Sequence, residues 1–255
     1  MGLLEILKGL LIETKNIDVK KLPSQGLFYN DDFSIKIKKA EVEDIIDYEL
    51  HFDKTNVISS IECIKKIVDK NTMLSKGYSY LDIKSVDIVF IFLEIVKFTR
   101  SIELKIPYIN NMGVESIIHF NTDNFNYFDM DKYISNYNPD TKEIIIDGYR
   151  FSLPSIGVET SLTQYLSSVS DEEVDTIKNV SFDFMFFLSG KNHLRFDEIK
   201  NLIQIFNYDI DDEEKKKVSN IVSRFRGIVG YTLKSDGNTI EMKSKLNLEN
   251  IWKLN

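Results

Sequence analysis

The chain has one cysteine and three histidines among 255 residues, and each scarcity closes a class of function. The lone Cys63 cannot form an internal disulfide, which fits a protein of a reducing cytosol rather than a disulfide-stapled scaffold. His51, His119 and His193 fall in three different elements, none at ligand spacing with another His or with Cys63, so a zinc site has nothing to start from. No excess of positive charge is present: 32 Lys and Arg stand against 40 Asp and Glu, a net charge of −8. That balance counts against non-specific nucleic-acid binding, which needs clustered cations on phosphates. Long hydrophobic runs are missing as well. A bilayer span takes about 20 apolar residues, whereas the greasiest stretch, Ser85 to Phe98, is shorter and broken by Asp87, Glu94 and Lys97.

Catalytic signatures are equally scarce. There is no Gly-x-Ser-x-Gly elbow. Gly190-Lys191 follows an apolar run but lacks the earlier glycine and the hydroxyl residue of a phosphate loop. Asp209, Asp211, Asp212, Glu213 and Glu214 resemble a calcium loop only in composition, and a helix N-terminus explains them better. Asp129 and Asp131 form a possible carboxylate pair, in Tyr-rich surroundings that read as surface. The aromatic run Phe182, Phe184, Phe186, Phe187 has no basic groove beside it and reads as core or an interaction face. The N-terminus lacks the basic start and small-residue cleavage site of a signal peptide, and Ile6 sits where a myristoylation motif wants Ser or Thr. The residues give no reason to expect an enzyme, a metal or a cofactor.

What is present is an architecture. In Ser85–Phe98, Asp87, Glu94 and Lys97 share one stripe of a helix whose remaining circumference is apolar, so the run predicts a central buried helix over 86–98. Ser85 is placed to cap it, and a buried strand is the competing reading. Leu3, Leu4, Leu7, Leu10 and Leu11 recur at helical spacing, predicting an amphipathic helix within residues 1–18. Its face packs on the body of the protein, in a partner's groove or, more weakly, on a membrane surface. Val19–Leu22 reads as a strand leading into a turn in which Gly26 takes positive φ. Ser34–Lys38 reads as a strand with one wet face, and Glu41–Phe52 and Val57–Val68 as helices. Residues 72–80 read as loop.

Hairpins are predicted at Ile102–Phe120, at Glu143–Leu153 around Asp147-Gly148, and at Tyr231–Met242 around Asp236-Gly237. Helices are predicted at 158–169, 171–188, 196–206 and 209–225. Ile251 and Trp252 should anchor the C-terminus. The fold class is therefore α+β, in two units. A mixed unit, 19–155, sets β-hairpins around the buried helix; a largely helical unit, 156–255, ends in a β-hairpin.

Two stretches carry a resemblance. Lys21-Leu22-Pro23-Ser24-Gln25-Gly26-Leu27-Phe28-Tyr29 resembles the Leu-Pro-Ser-x-Gly-x-Phe-Tyr opening of small tail-baseplate proteins of T-even-type bacteriophages. The stretch from Phe182 to Asp209, with its Phe-Asp-Glu-Ile-x-Asn-Leu-Ile-Gln-Ile-Phe-Asn-Tyr-Asp core, a following hairpin and Ile251-Trp252, is similar to the baseplate hub assembly proteins of that group. Some relatives have Cys-x-x-Cys-like turns after the core helix; the turn at 110–113 here has no cysteine, so a zinc-bound hairpin does not carry over.

The resemblance implies a non-enzymatic late protein of the host cell cytoplasm, an assembly factor or chaperone for the central hub of the tail baseplate. Its partners would be hub and tape-measure proteins, with no nucleic acid and at most weak membrane association. A structural hub subunit retained in the virion is the alternative, and a peptidoglycan-cleaving hub enzyme is a third reading that would need a carboxylate pair in a cleft. A chaperone must present apolar surface to its client. The surfaces expected to do so are the Leu3, Leu4, Leu7 and Leu11 face and exposed aromatics at Phe28 and Tyr29.

Overall fold

The computed structural model describes residues 12–53, 55–109, 112–120, 125–128, 133–170, 191, 193–226, 229–235, 238–241 and 248–253. It is an α+β protein organised around one helix, α3, Ile88–Arg100, entered through a 3-10 turn at Ser85–Asp87. Ile88 and every residue from Phe90 to Val96 are buried, including Glu94. The polar stripe expected on this helix is there, and each member meets its partner from a different part of the chain. Asp87 meets Ser24 and Tyr29, Glu94 accepts from Lys15 Nζ at 2.6 Å, and Lys97 Nζ lies 5.7 Å from the centre of the Phe120 ring. The expected cap is not: Ser85 makes no capping bond, and its hydroxyl is turned toward Glu159.

One side of α3 is covered by an antiparallel sheet of β1 (Thr14–Ile17), β2 (Ile35–Lys38) and β3 (Thr72–Leu74), in that order. Ile35 and Ile37 point into the core while Lys36 is exposed, the alternation of a half-wet strand. Two elements differ from the sequence reading here. β3 lies in the stretch read as loop, where pairing with β2 fixes three residues whose sequence carries no alternation. Thr14–Ile17 is strand rather than the end of a helix, held in register with Ile35–Lys38.

Val19–Lys21 is a 3-10 turn, not a strand. The Asp18 carboxylate accepts the Lys20 amide at 3.0 Å, and the Val19 carbonyl accepts from Leu22 N, which closes the turn locally.

Helices α1 (Val42–His51) and α2 (Val57–Asn71) pack as a pair, with α2 against α3. They are joined by Asp44, a buried carboxylate of α1 that accepts from Lys70 Nζ at 2.7 Å and Asn71 Nδ2 at 3.3 Å. β4 (Lys105–Ile109) and β5 (Glu115–His119) form the first expected hairpin. β7 (Tyr137–Asn138), β8 (Glu143–Ile146) and β9 (Tyr149–Phe151) form a meander, with β8 and β9 joined through Asp147 and Gly148, both at positive φ, as a type I′ turn requires.

The C-terminal part contributes α4 (Ile156–Ser168), α5 (Phe196–Gln204) running into a π turn at Ile205–Asp209, and α6 (Asp212–Arg226). The last hairpin is β10 (Val229–Ser235) with β11 (Asn238–Glu241). The helix expected at 171–188 lies outside the described residues.

Contacts cross the boundary expected near residue 155. β10 also pairs with β6 (Phe125–Phe128), from the first unit. Leu248, Ile251 and Trp252 join the core around α3, where Trp252 meets Phe92 and Tyr48 edge-on at 6.0 and 6.2 Å and the Tyr48 hydroxyl donates to the Leu248 carbonyl. Two smaller cores lie beside the main one. The first sits between the β7–β9 meander and α6 and includes Phe28, Ile144, Phe151 and Val218. The second, between α4 and α5, includes Leu162, Tyr165 and Ile199.

Candidate functional site

The stretch Leu22–Tyr29 wraps over the N-terminus of α3. Gln25 and Gly26 both take left-handed backbone conformations, φ +56° and +71°, which turns the chain back so that Ser24 faces inward. Glycine is required at 26 for space as well as φ: a Cβ there would lie 3.1 Å from the Val19 carbonyl oxygen.

The Ser24 amide and hydroxyl then donate to Asp87 at 2.8 and 2.7 Å, and the Tyr29 hydroxyl donates to the same carboxylate at 2.7 Å. The Tyr29 oxygen in turn accepts the Lys84 amide at 2.8 Å. Ser24 and Asp87 have no exposed surface, and Lys84 is 4% exposed.

Burial sets the electrostatics. It raises the Asp87 carboxyl to about 6, against the opposing pull of Ser24, Tyr29 and the Lys84 charge. It lowers the Lys84 ammonium to about 8, opposed by Asp87 and Asp82. It raises the Tyr29 hydroxyl well above its ordinary value, with the Asp87 charge adding to the effect. Near neutral pH the network therefore holds an ionised carboxylate and a cation side by side. Ser24 and Tyr29 spend their protons on Asp87, so this network holds geometry rather than exposing a nucleophile.

Above it lies a cleft of about 70 Å³ with Tyr29 and Lys84 in its wall. Thr141, Lys142 and Ser152 of the β-meander line it together with Asn30, Tyr78 and Asp82. Most charged groups around it already have hydrogen-bond partners. Lys142 bonds Asp31 at 2.8 Å, Tyr78 donates to Asp32 at 2.5 Å, and Asp82 accepts the Ser79 amide at 2.6 Å.

The expected surface residues fare differently. Leu3, Leu4, Leu7 and Leu11 lie outside the described residues, as do Asp129 and Asp131. Phe28 and Tyr29 are not exposed aromatics; each is 5% accessible. Their adjacent side chains enter two different cores: Phe28 packs edge-on to Tyr137 at 6.2 Å in the meander core, and Tyr29 stacks on Phe33 at 4.1 Å in the main core. The Leu-Pro-Ser-x-Gly-x-Phe-Tyr stretch staples the two cores together.

The apolar surface lies elsewhere. In α1 the buried face carries Asp44 and Tyr48, which leaves Val42, Ile46 and Leu50 outside at 71, 52 and 74% exposure. Ile58 and Ile61 of α2 are exposed as well. In sequence this row reads as the core face. The signal against that reading is Asp44, whose partners, the exposed Lys70 and the buried Asn71, lie 26 and 27 residues away and are invisible to periodicity.

A serine–histidine contact also escaped sequence reasoning. Ser161 Oγ lies 3.0 Å from His193 Nδ1, but the hydroxyl is 1% exposed, is also bonded to the Gly157 carbonyl and accepts the Leu194 amide, so it pins the 193–194 segment to α4.

Among the described residues no group of three or more His, Cys, Asp or Glu side chains is arranged to hold a metal ion, and no helix is long and apolar enough to cross a membrane. No family model, curated protein or solved structure matches the chain.

Proposed function

We propose that the protein is a non-enzymatic assembly factor for the central hub of a bacteriophage tail baseplate, holding a hub or tape-measure client in the host cytoplasm while the tail is built. The observation that carries this reading is the uncovered row Val42, Ile46, Leu50 on α1; Ile58 and Ile61 of the neighbouring α2 are exposed too. Isolated exposed aliphatic residues are ordinary, but a row repeating every four residues along one helix face offers a continuous docking line. Glu41 and Glu43 flank it and are exposed. The client segment that fits is an amphipathic helix whose apolar row is bordered by Lys or Arg. The phage-like stretches motivate the choice of client class, and the row supplies the means of holding it.

The experiment compares purified mature particles with hub intermediates from infected cells by mass spectrometry, for the wild-type chain and an Ile46→Asp/Leu50→Asp variant. The proposal expects the chain in intermediates and not in finished particles, with client binding weakened about tenfold or more in the variant. A fixed copy number in both kinds of particle would instead make it a structural hub subunit. Undiminished client binding by the variant would remove α1 as the docking line.

A further inference from the structure

The exposed row of α1 has a counterpart in the chain itself. Val42, Ile46 and Leu50, four residues apart along α1, are each more than half exposed. Leu3, Leu7 and Leu11 repeat at the same interval in the segment that precedes the first described residue, Ile12. At a rise of about 1.5 Å per residue, either row would span about 12 Å of helix. The start of β1 delivers that segment to α1. Thr14 pairs with Lys38 in antiparallel register, and the Glu13 carboxylate bonds Lys39 Nζ at 2.7 Å. Followed backward from Thr14, the chain therefore runs toward Ala40 and the Glu41 cap of α1. Paired strands lie about 4.8 Å apart, which sets residues 12 and 13 beside the approach to the first turn of α1. A segment that leaves from there and follows α1 lies antiparallel to it, with Leu11 nearest Val42 and Leu3 nearest Leu50.

We propose that residues 1–11 form a helix laid antiparallel along α1, with Leu11, Leu7 and Leu3 on Val42, Ile46 and Leu50. Two observations select this occupant over a second copy or an unrelated partner. The attachment point is a few residues from the row, so the contact is intramolecular, at an effective concentration in the millimolar range. The two rows also match in spacing and in length. The helix depends on the surface it covers. Isolated helices shorter than about 12–15 residues are marginal in water, and Gly2 and Gly9 are poor helix formers, so the α1 face supplies what the segment lacks. A further step rests on the assembly role proposed above: a client helix reaches the row by displacing residues 1–11, which keep it covered until a client is present.

The test is disulfide trapping in the full chain carrying Cys63→Ala, with no client present. Under mild oxidation Leu7→Cys/Ile46→Cys and Leu11→Cys/Val42→Cys should close within one chain. Each should close about tenfold faster than the direction control Leu3→Cys/Val42→Cys, because a disulfide needs Cβ atoms about 3.8 Å apart. Non-reducing electrophoresis separates closed monomers from linked dimers. Bonds formed only between chains would give the row to a second copy, and closure no faster than the control would place residues 1–11 elsewhere; either result overturns the assignment. Hydrogen exchange on a chain that keeps Cys63 carries the test if the cysteine variants do not fold. The amides of Leu7 to Leu11 should be protected, and Ile46→Asp should cut that protection about tenfold. Unprotected amides, or protection that Ile46→Asp leaves unchanged, overturn it too. The displacement step has its own readout: the trapped Leu7→Cys/Ile46→Cys chain should bind a hub client about tenfold more weakly than the same chain reduced. Equal binding would overturn that step, and α1 as the client's docking line with it, while the trapped contact stands.

Discussion

Replacing Asp87 with alanine is the sharpest test of how the chain is held together. The substitution removes the acceptor of three bonds and leaves the Ser24 amide, the Ser24 hydroxyl and the Tyr29 hydroxyl facing each other where no water enters. Bonds to a charged acceptor contribute roughly 1.5–3 kcal/mol each, so their combined loss is about 6 kcal/mol. An opposing effect must be subtracted. Burial lifts the Asp87 carboxyl from 3.8 to about 6, so the ionised group sits in the fold at a cost of about 3 kcal/mol, which alanine relieves.

The net loss is then about 3 kcal/mol, a large part of the stability of an ordinary domain, and a fall in Tm of about 6–12 °C. Asp87→Asn keeps an acceptor for the Ser24 amide and also relieves the charge, so it should lose only about 1 kcal/mol. The assay is urea unfolding followed by fluorescence of Trp252, the single tryptophan, which lies in the core against Phe92 and Tyr48. If Asp87→Ala is neutral or stabilising, or if the asparagine variant is the worse of the two, the network does not hold the stretch from Ser24 to Tyr29 onto α3.

Gly26→Ala forces a Cβ to 3.1 Å from the Val19 carbonyl oxygen at φ +71°, and should cost about 1–2 kcal/mol in the same urea assay. Trp252→Ala empties a site lined by Tyr48 and Phe92 and should cost about 3–5 kcal/mol, read by loss of thermal stability on circular dichroism. pH acts on the buried pair with a definite sign. Asp87 is raised from 3.8 to about 6, so the stability it contributes is complete below about 4 and is lost as pH rises through about 6. Lys84 is lowered from 10.5 to about 8, so its contribution is present above about 10.5 and lost as pH falls through about 8. The stability difference between wild type and Asp87→Asn should therefore change between pH 4 and 6 and level off above it; a difference flat across that window would mean that Asp87 is not raised.

Much of the fold is legible because it is local. The Asp147-Gly148 hairpin is set by two residues able to take positive φ, and the central helix by a run too apolar to sit anywhere but the core. β3 is not legible, because Thr72–Leu74 becomes strand only by pairing with β2, from Ile37 opposite Thr72 to Ile35 opposite Leu74. α1 was half legible: its helix follows from periodicity, but which face goes inward is decided by Asp44 meeting Lys70 and Asn71. The site follows the same division. Asp87 is conspicuous in sequence as an acid at the head of a greasy run, but nothing local says that Ser24 and Tyr29 will find it.

That placement changes what the phage-like stretch can be asked to explain. Exposed on a surface, Leu22–Tyr29 would be a recognition motif for a client. Here Leu22 and Tyr29 lie in the main core, Phe28 lies in the meander core, and Ser24 is fixed to Asp87. A motif whose serine, glycine, phenylalanine and tyrosine are each required by packing is a fold determinant. On the proposed assembly role, client choice then resides in surfaces the motif only positions. The exposed α1 row is one, tied to the core through Asp44 and Tyr48. Substitutions at Ser24 or Gly26 should therefore weaken client binding only in proportion to the unfolding they cause, whereas Ile46→Asp should weaken it in a chain that melts normally. Equal stability with lost binding in a Ser24→Ala variant would return the motif to the surface role.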